Sequence, residues 1–297
     1  MSYNPTNERL IYFISLFLPR RLEAKILTRT LRQLILQNMK TLKFAKYSGN
    51  GNDFIIIREE DKPSPEVMEK LCHRHFGVGA DGIITYGPST KGDSTMRIFN
   101  ADGGEAEMCG NAVRCLATYL DKISETKKDL YRIETMNAVY PISRQGNTFA
   151  LEMTEIKDKN IYDLSDFNEF KNSFFINTGV PHLVFLTDDA KAVDIKKIGS
   201  HYRHQARFPN GTNVTVVQVL DLVNKTAFAR TYERGVEDET HSCGTGLTAT
   251  ALALSHWLGW KGEVKLKTKG GNQLVTLSEK VLYSGEVFEC FTGEVTV

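Results

Sequence analysis

Several absences narrow the reading of this chain before any motif is found. It has no apolar run near the ~20 residues that a membrane-spanning helix needs. The longest, IYFISLFL (Ile11–Leu18), is far shorter and is followed by PRRLEAK rather than a small-residue cleavage site. That stretch reads either as a signal-peptide core or as a basic amphipathic extension with Met39 as an alternative start. Net charge is almost absent: 37 Lys and Arg against 36 Asp and Glu give +1, which excludes a strong polyanion-binding field. The small imbalance is local. Residues 1–38 hold six basic and two acidic residues, which leaves 31 basic and 34 acidic in the remainder. Disulfide patterning is also missing. Five cysteines is an odd count without framework spacing, which points to a reducing cytoplasm and a special task for one or two thiols.

What is present is a normal globular composition, 41% apolar and 25% charged, over 297 residues, enough for one large or two ordinary domains. From Met39 the pattern is mostly β. KTLKFAKYSG and DFIIIRE read as strands around a Gly-Asn turn. SPEVMEKLCHRHF reads as a helix capped by Ser64, DGIITYGP and STMRIFNAD as strands, GNAVRCLATYLDKI as a helix, and YRIETMNAVYPISRQGNTFALEMTE as a hairpin. The rhythm then recurs. FFINTGVPHLVFLTD, VDIKKIGSHYRHQ, TNVTVVQVLD, TAFARTYERG, GTGLTATALALSHWLG and GEVKLKTKGGNQLVTLS repeat strands, helix, strands, helix and hairpin.

The recurrence is an internal duplication. GNGNDFIII (Gly49–Ile57) parallels NTGVPHLVF (Asn177–Phe185), and EAEMCGNAVRCLA (Glu105–Ala117) parallels ETHSCGTGLTATA (Glu239–Ala251). In both copies a Glu stands four residues before a Cys, and Gly plus a small polar residue follows it. The expected fold is α+β: two pseudo-symmetric lobes, each a mostly antiparallel sheet or barrel around a central helix, with the site in the cleft between them. The expected division is an extension over 1–38, a first lobe over 39–155 to which the terminal strand 284–297 returns, and a second lobe over 156–283.

Each repeated cysteine begins a helix, where free N–H groups and the helix dipole favour an anion. A thiol there is expected to titrate below its ordinary value of about 8.5. Two such thiols facing across a cleft suit inversion of an α-carbon, one as base and the other as acid on the opposite face. Charge developing in the α-carboxylate is received by the helix N-termini, and no electron-sink cofactor is obligatory.

Other motifs read less well. GVGADG (Gly77–Gly82) fits GxGxxG, but a helix precedes it and a strand follows, the reverse of the dinucleotide order. Cys72–His75 (CHRH) fans around a helical turn without a second ligand pair. Cys115 and Cys290 read as packing residues. A Cys–His hydrolase built on Cys243 with His241 or His182, and a binding module with structural thiols, remain open; neither explains why Cys109 repeats the setting of Cys243.

GNDF (Gly51–Phe54), NADGGEAEMCGNAVRC (Asn100–Cys115) and YERGVEDETHSCGTG (Tyr232–Gly246) together resemble diaminopimelate epimerase, in order and spacing from about Met39 to the C-terminus. The resemblance implies cofactor-free interconversion of LL- and meso-2,6-diaminopimelate in lysine and peptidoglycan precursor synthesis. It implies a cytoplasmic homodimer with a small-molecule substrate, no metal, and no nucleic-acid or membrane partner. It makes Cys109 and Cys243 the acid–base pair. Gly110, Asn111, Gly244 and Thr245 would hold the reacting carboxylate, and Asn52, Asn100 and Asn213 would contact substrate. Glu233 and Arg234 would read the far end, unless they are a surface ion pair. His182 either tunes the cysteines or is a turn residue satisfied by backbone. Two departures lie in this region: Val180 stands where many members have Asn, and RGVEDET is one residue longer than the common RGxGET.

Overall fold

The computed structural model describes residues 40–106, 108–154, 156–157, 170 and 172–297; the N-terminal extension, with Ile11–Leu18 and Met39, lies outside them. Residues 44–293 form one compact body. The described chain ends, 40–43 and 294–297, group separately, with reciprocal backbone hydrogen bonds of 2.9 Å between Lys40 and Val297.

Strand β1 (Thr41–Gly49) reverses into β2 (Asn52–Arg58) through Asn50 and Gly51, both left-handed at φ 54° and 81°. An Asn-Gly pair is the chemistry a two-residue hairpin of this hand requires. Helix α1 (Pro65–Cys72) leads to β3 (Gly82–Gly87), parallel to β2, and β4 (Ser94–Asn100) returns antiparallel with the short β5 (Glu105–Ala106) on it. Helix α2 (Gly110–Ile123) leads to β6 (Leu130–Glu134), parallel to β4. Antiparallel β7 (Val139–Gln145) and β8 (Thr148–Glu152) follow.

The second half repeats this order. After β9 (Ile156–Lys157), β10 (Asn172–Thr178) pairs antiparallel with β11 (Pro181–Leu186). Helix α3 (Ile195–Arg203) leads to parallel β12 (Asn213–Asp221), and β13 (Thr226–Glu233) returns with β14 (Asp238–Thr240) on it. Helix α4 (Gly244–Leu258) leads to β15 (Gly262–Thr268), parallel to β13, then β16 (Gly271–Leu277) and β17 (Val281–Gly285). The last strand, β18 (Val287–Thr296), returns to β1. Two lobes of the same topology result, each with two parallel pairs among antiparallel ones. They join where β17 pairs with β8 at Ala150–Ser284, Leu151–Tyr283 and Glu152–Leu282.

Each lobe closes on its second helix. Helix α2 buries every residue from Asn111 to Ala117, so its N-terminal half is enclosed on all sides. Helix α4 buries Leu247, Thr248, Ala249, Thr250, Ala251, Ala253 and Leu254, so its middle is enclosed on all sides, and its last turn reaches solvent at His256 and Leu258. Gly259 ends it in the left-handed conformation, φ 69°, as a C-terminal glycine does.

Three local expectations change. The helix expected through Phe76 stops at Cys72, because His73 turns its ring to accept from the backbone N–H groups of His75 and Phe76 at 3.1 and 3.2 Å. CHRH is therefore a helix end rather than one face of a turn, and no cluster able to hold a metal occurs among the described residues. The hairpin expected over 131–155 is three strands, β6 to β8. Cys290 is exposed rather than packed, because β18 offers that face to solvent; Cys115 is fully buried. Among the described residues no helix is long and apolar enough to cross a membrane.

Candidate active site

Tyr283 stands in the seam between the lobes, and both central helices begin against its ring. A Cβ on Gly244 would lie 2.6 Å from Tyr283 Cε1, so only glycine lets α4 start this close; on Gly110 the same distance is 3.7 Å. Immediately before these glycines, Cys109 and Cys243 occupy matching N-cap positions with extended backbones, φ −143° and −125°. Their carbonyls accept the first helical bonds, from Val113 at 3.0 Å and Leu247 at 2.9 Å. Neither helix has an acidic residue in its own first turn to offset its positive end.

The thiols titrate opposite to expectation. Burial pushes Cys109 up to about 11, although the N–H groups of Ala112 and Asn111 pull against it, and the Glu233 carboxylate adds to the rise. Burial and Glu233 raise Cys243 further, against Thr245 and the Gly246 N–H. The helix N-termini act in the expected direction, but removing a thiolate from water is the larger effect. Cys109 is itself one of the groups that raise Cys243.

Glu233 thus bears on both thiols. Burial raises its carboxyl, and the Cys243 thiol offsets part of the rise. Arg234 is held apart from it: Nη1 donates to the Asn210 carbonyl at 2.9 Å, and its backbone N–H donates to Asn213 Oδ1 at 2.7 Å. Asn213 also donates from Nδ2 to the Pro181 carbonyl at 3.0 Å, so both ends of its amide are engaged in joining β11 to the end of β13. Asn52 is placed at the site. Its Oδ1 faces Cys109 Sγ at 3.6 Å and accepts from Asn111 Nδ2 at 3.3 Å, while its Nδ2 donates to Asp81 at 2.9 Å. Asn100 ends β4 exposed, in a turn closed by Gly103 and Gly104. Val180 lies in the β10–β11 turn. The lengthened RGVEDET loop is pinned by Glu237, which accepts from the Gly235 N–H at 3.0 Å, Arg203 at 3.1 Å and the Tyr232 hydroxyl at 3.2 Å.

His182 is fully buried. Its Nε2 is 2.8 Å from Thr245 Oγ1, which in turn is 3.4 Å from Cys243 Sγ, so the ring reaches the thiol through one hydroxyl. Gly246 makes room for it, since a Cβ there would fall 3.2 Å from Cε1. Burial, with Arg234 nearby, pushes His182 down to about 3. A histidine held neutral in the fold stabilises above its unfolded value, and that stability is lost as pH falls from about 6.5 toward the folded value. Wild type should thus lose a few kcal/mol more than His182→Asn between pH 7 and pH 4.5. Melting curves of both proteins at the two pH values check this; parallel losses would remove His182 from the account.

The repeated Glu has a structural task. Glu105 takes both nitrogens of an Arg97 fork, and Glu239 takes those of Arg230 at 2.8 and 2.9 Å. Each pair fastens the short strand before a cysteine to the long strand beneath it. Beneath the helix starts lies a polar layer that pattern reading missed, in which Asn50, Arg114, Ser242, Gln273 and Tyr283 surround Asn111. The four buried side-chain polar atoms without a partner among the described residues belong to Arg114, His182 and Thr240. All three residues adjoin this site.

Comparison with known proteins agrees with the duplicated plan. Residues 44–156 and 174–288 match the family model described as diaminopimelate epimerase. The chain is 36% identical over 279 residues to the diaminopimelate epimerase of Methanocella arvoryzae, covering 87% of this chain and 98% of the relative. It is 38% identical to that of Methanothrix thermoacetophila, covering 87% and 97%. Among solved structures, a phenazine biosynthesis protein of the PhzF family from Enterococcus faecalis superposes with TM-score 0.67 at 14% identity, over 86% of this chain and 99% of that one. A hydroxyproline epimerase from Agrobacterium vitis superposes with TM-score 0.57 at 14% identity, over 86% and 93%. At such identities these two likenesses concern the fold.

Proposed function

The chain belongs to the diaminopimelate epimerase family of isomerases, and from that premise we propose that it inverts one α-carbon of 2,6-diaminopimelate, interconverting the LL and meso forms with Cys109 and Cys243 as the two acid–base groups. The observation that carries this reading is the pair of cysteine-capped helices starting against one tyrosine ring, with no acidic residue in either first turn. Its place would be lysine and peptidoglycan precursor synthesis.

In the forward direction one thiolate removes the α-proton. The C–H electron pair moves into the α-carboxylate, which becomes an enediolate. N–H groups at Gly110–Asn111 and Gly244–Thr245 receive that charge. The opposite thiol gives its proton to the other face, and the pair returns to a C–H bond. Each turnover leaves the thiolate on the other cysteine, so either form is a substrate. A raised thiol makes scarce thiolate at neutral pH but a strong base once formed, which matches a weakly acidic α-proton. The substrate ammonium at the reacting carbon pairs with Glu233, and Arg234 supplies the planar fork for the distal carboxylate.

The test is direct. Purified protein with neither pyridoxal phosphate nor metal is incubated with LL-diaminopimelate in deuterated water. Meso product with deuterium at one α-carbon is expected, and chelators should have no effect. A requirement for added pyridoxal phosphate would sink the two-thiol reading.

A further inference from the structure

Arg114 is the largest fully buried side chain among the described residues, and the reaction above leaves it unused. It lies on the second turn of α2, where long side chains run back toward the helix start. Its Nη2 donates to Asn111 Oδ1 at 2.8 Å, to Asn50 Oδ1 at 2.9 Å and to the Tyr283 hydroxyl at 3.2 Å. All three acceptors are neutral. Nε and Nη1 are buried with no partner, and Cζ lies 4.7 Å from the Tyr283 ring centroid. Among the described residues no carboxylate neutralises it. A buried unpaired cation is unfavourable, and one at the positive end of a helix doubly so. Room has nevertheless been made for it. At Gly285 a Cβ would stand 2.2 Å from Asn50 Oδ1 and 3.1 Å from Arg114 Nη1.

The hydrogen bonds lead from this charge to the thiol. With Asn111 Oδ1 turned to Arg114, its Nδ2 faces outward, to Asn52 Oδ1 at 3.3 Å and to the Ser242 carbonyl at 3.4 Å. Asn52 Oδ1 is the group that faces Cys109 Sγ. We infer that Arg114 is a positioning residue for the reacting anion: its charge is balanced by the Cys109 thiolate and by the charge carried into the α-carboxylate, and its Nη2 aligns the Asn111–Asn52 amides that hold Cys109. The inference rests on the two-thiol reading. Its asymmetry is part of it, since Arg114 draws Cys109 downward against burial.

Two full-length variants test it. Arg114→Met keeps an apolar stem of similar reach and removes the charge. Asn50→Asp leaves the guanidinium in place and sets a carboxylate beside it. The first readout is the iodoacetamide alkylation rate of each cysteine at mildly alkaline pH, without substrate, mapped by mass spectrometry. The second is the pH profile of kcat and KM with LL-diaminopimelate. In both variants alkylation of Cys109 should fall by up to about tenfold, the effect of raising its pKa by about one unit. Cys243 should change less. The acid limb of kcat should move to higher pH with KM changed less. Alkylation and kcat profiles that match wild type in a variant with native melting behaviour would overturn the inference, leaving Arg114 a structural residue. If Arg114→Met does not fold, Asn50→Asp decides alone by the same criterion. Wild type that failed to epimerise diaminopimelate would undo the proposed substrate while leaving the thiol readout standing, so the two failures are distinguishable.

Discussion

Cys109→Ser and Cys243→Ser should each lower epimerase turnover by about 10²–10⁴-fold, the range for loss of one positioned acid or base. A serine hydroxyl is a far weaker acid than a thiol, so in the same dry cleft almost no alkoxide forms. Equal damage at both positions is the informative part. Each cysteine caps its helix with its backbone, through bonds of 3.0 and 2.9 Å to its carbonyl oxygen, and serine preserves those bonds. Melting temperatures should therefore stay near wild type while activity collapses. Cys72→Ser, at a buried position on α1, serves as the contrast: it should lower stability with little effect on turnover. If one of the two capping cysteines tolerated serine, the reaction would need only one thiol, and a single-base or hydrolytic chemistry would return to consideration.

Glu233→Gln should separate thiol ionisation from substrate binding, because it is expected to move them in opposite directions. Glu233 raises both Cys109 and Cys243, so its removal makes both thiols easier to ionise. Alkylation of both cysteines in the free enzyme should accelerate. Epimerisation should nevertheless fall by about 1.5–3 kcal/mol in kcat/KM, or roughly ten- to a hundredfold, since the ammonium loses its charged partner. Faster alkylation with unchanged kcat/KM would place Glu233 outside substrate recognition.

Local pattern was enough for the elements that carry the chemistry. The Cys-Gly starts, followed by apolar runs, located both central helices at their observed first residues, and the duplicated order of strands predicted two matching lobes. What escaped depends on contacts distant in sequence. Arg114 in an amphipathic helix looks like a surface cation, and Tyr283 in VLYSGE looks like an ordinary strand residue. Only the fold brings them together, 169 positions apart. The direction of thiol titration escaped for a related reason. A helix N-terminus is visible in a few residues, whereas the burial that outweighs it is assembled from both lobes. Val180 and the longer RGVEDET loop read as departures in the sequence; in the fold the loop is secured by its own Glu237.

The ribbon of β17 and β18 also sets a schedule for synthesis. Strand β8 completes its pairing with β17, and β1 with β18, so both borders of the first lobe are closed by strands synthesised well after the rest of that lobe. At about 5–20 residues per second the nascent first lobe waits on the order of ten seconds with two unpaired strand edges. Contacts this distant along the chain make the final closure the slow step, and open edges invite pairing with neighbouring chains meanwhile. Expression should accordingly be more sensitive to truncation after Gly285 than to changes in any exposed loop, and chaperone dependence should concentrate in the interval before β17 emerges.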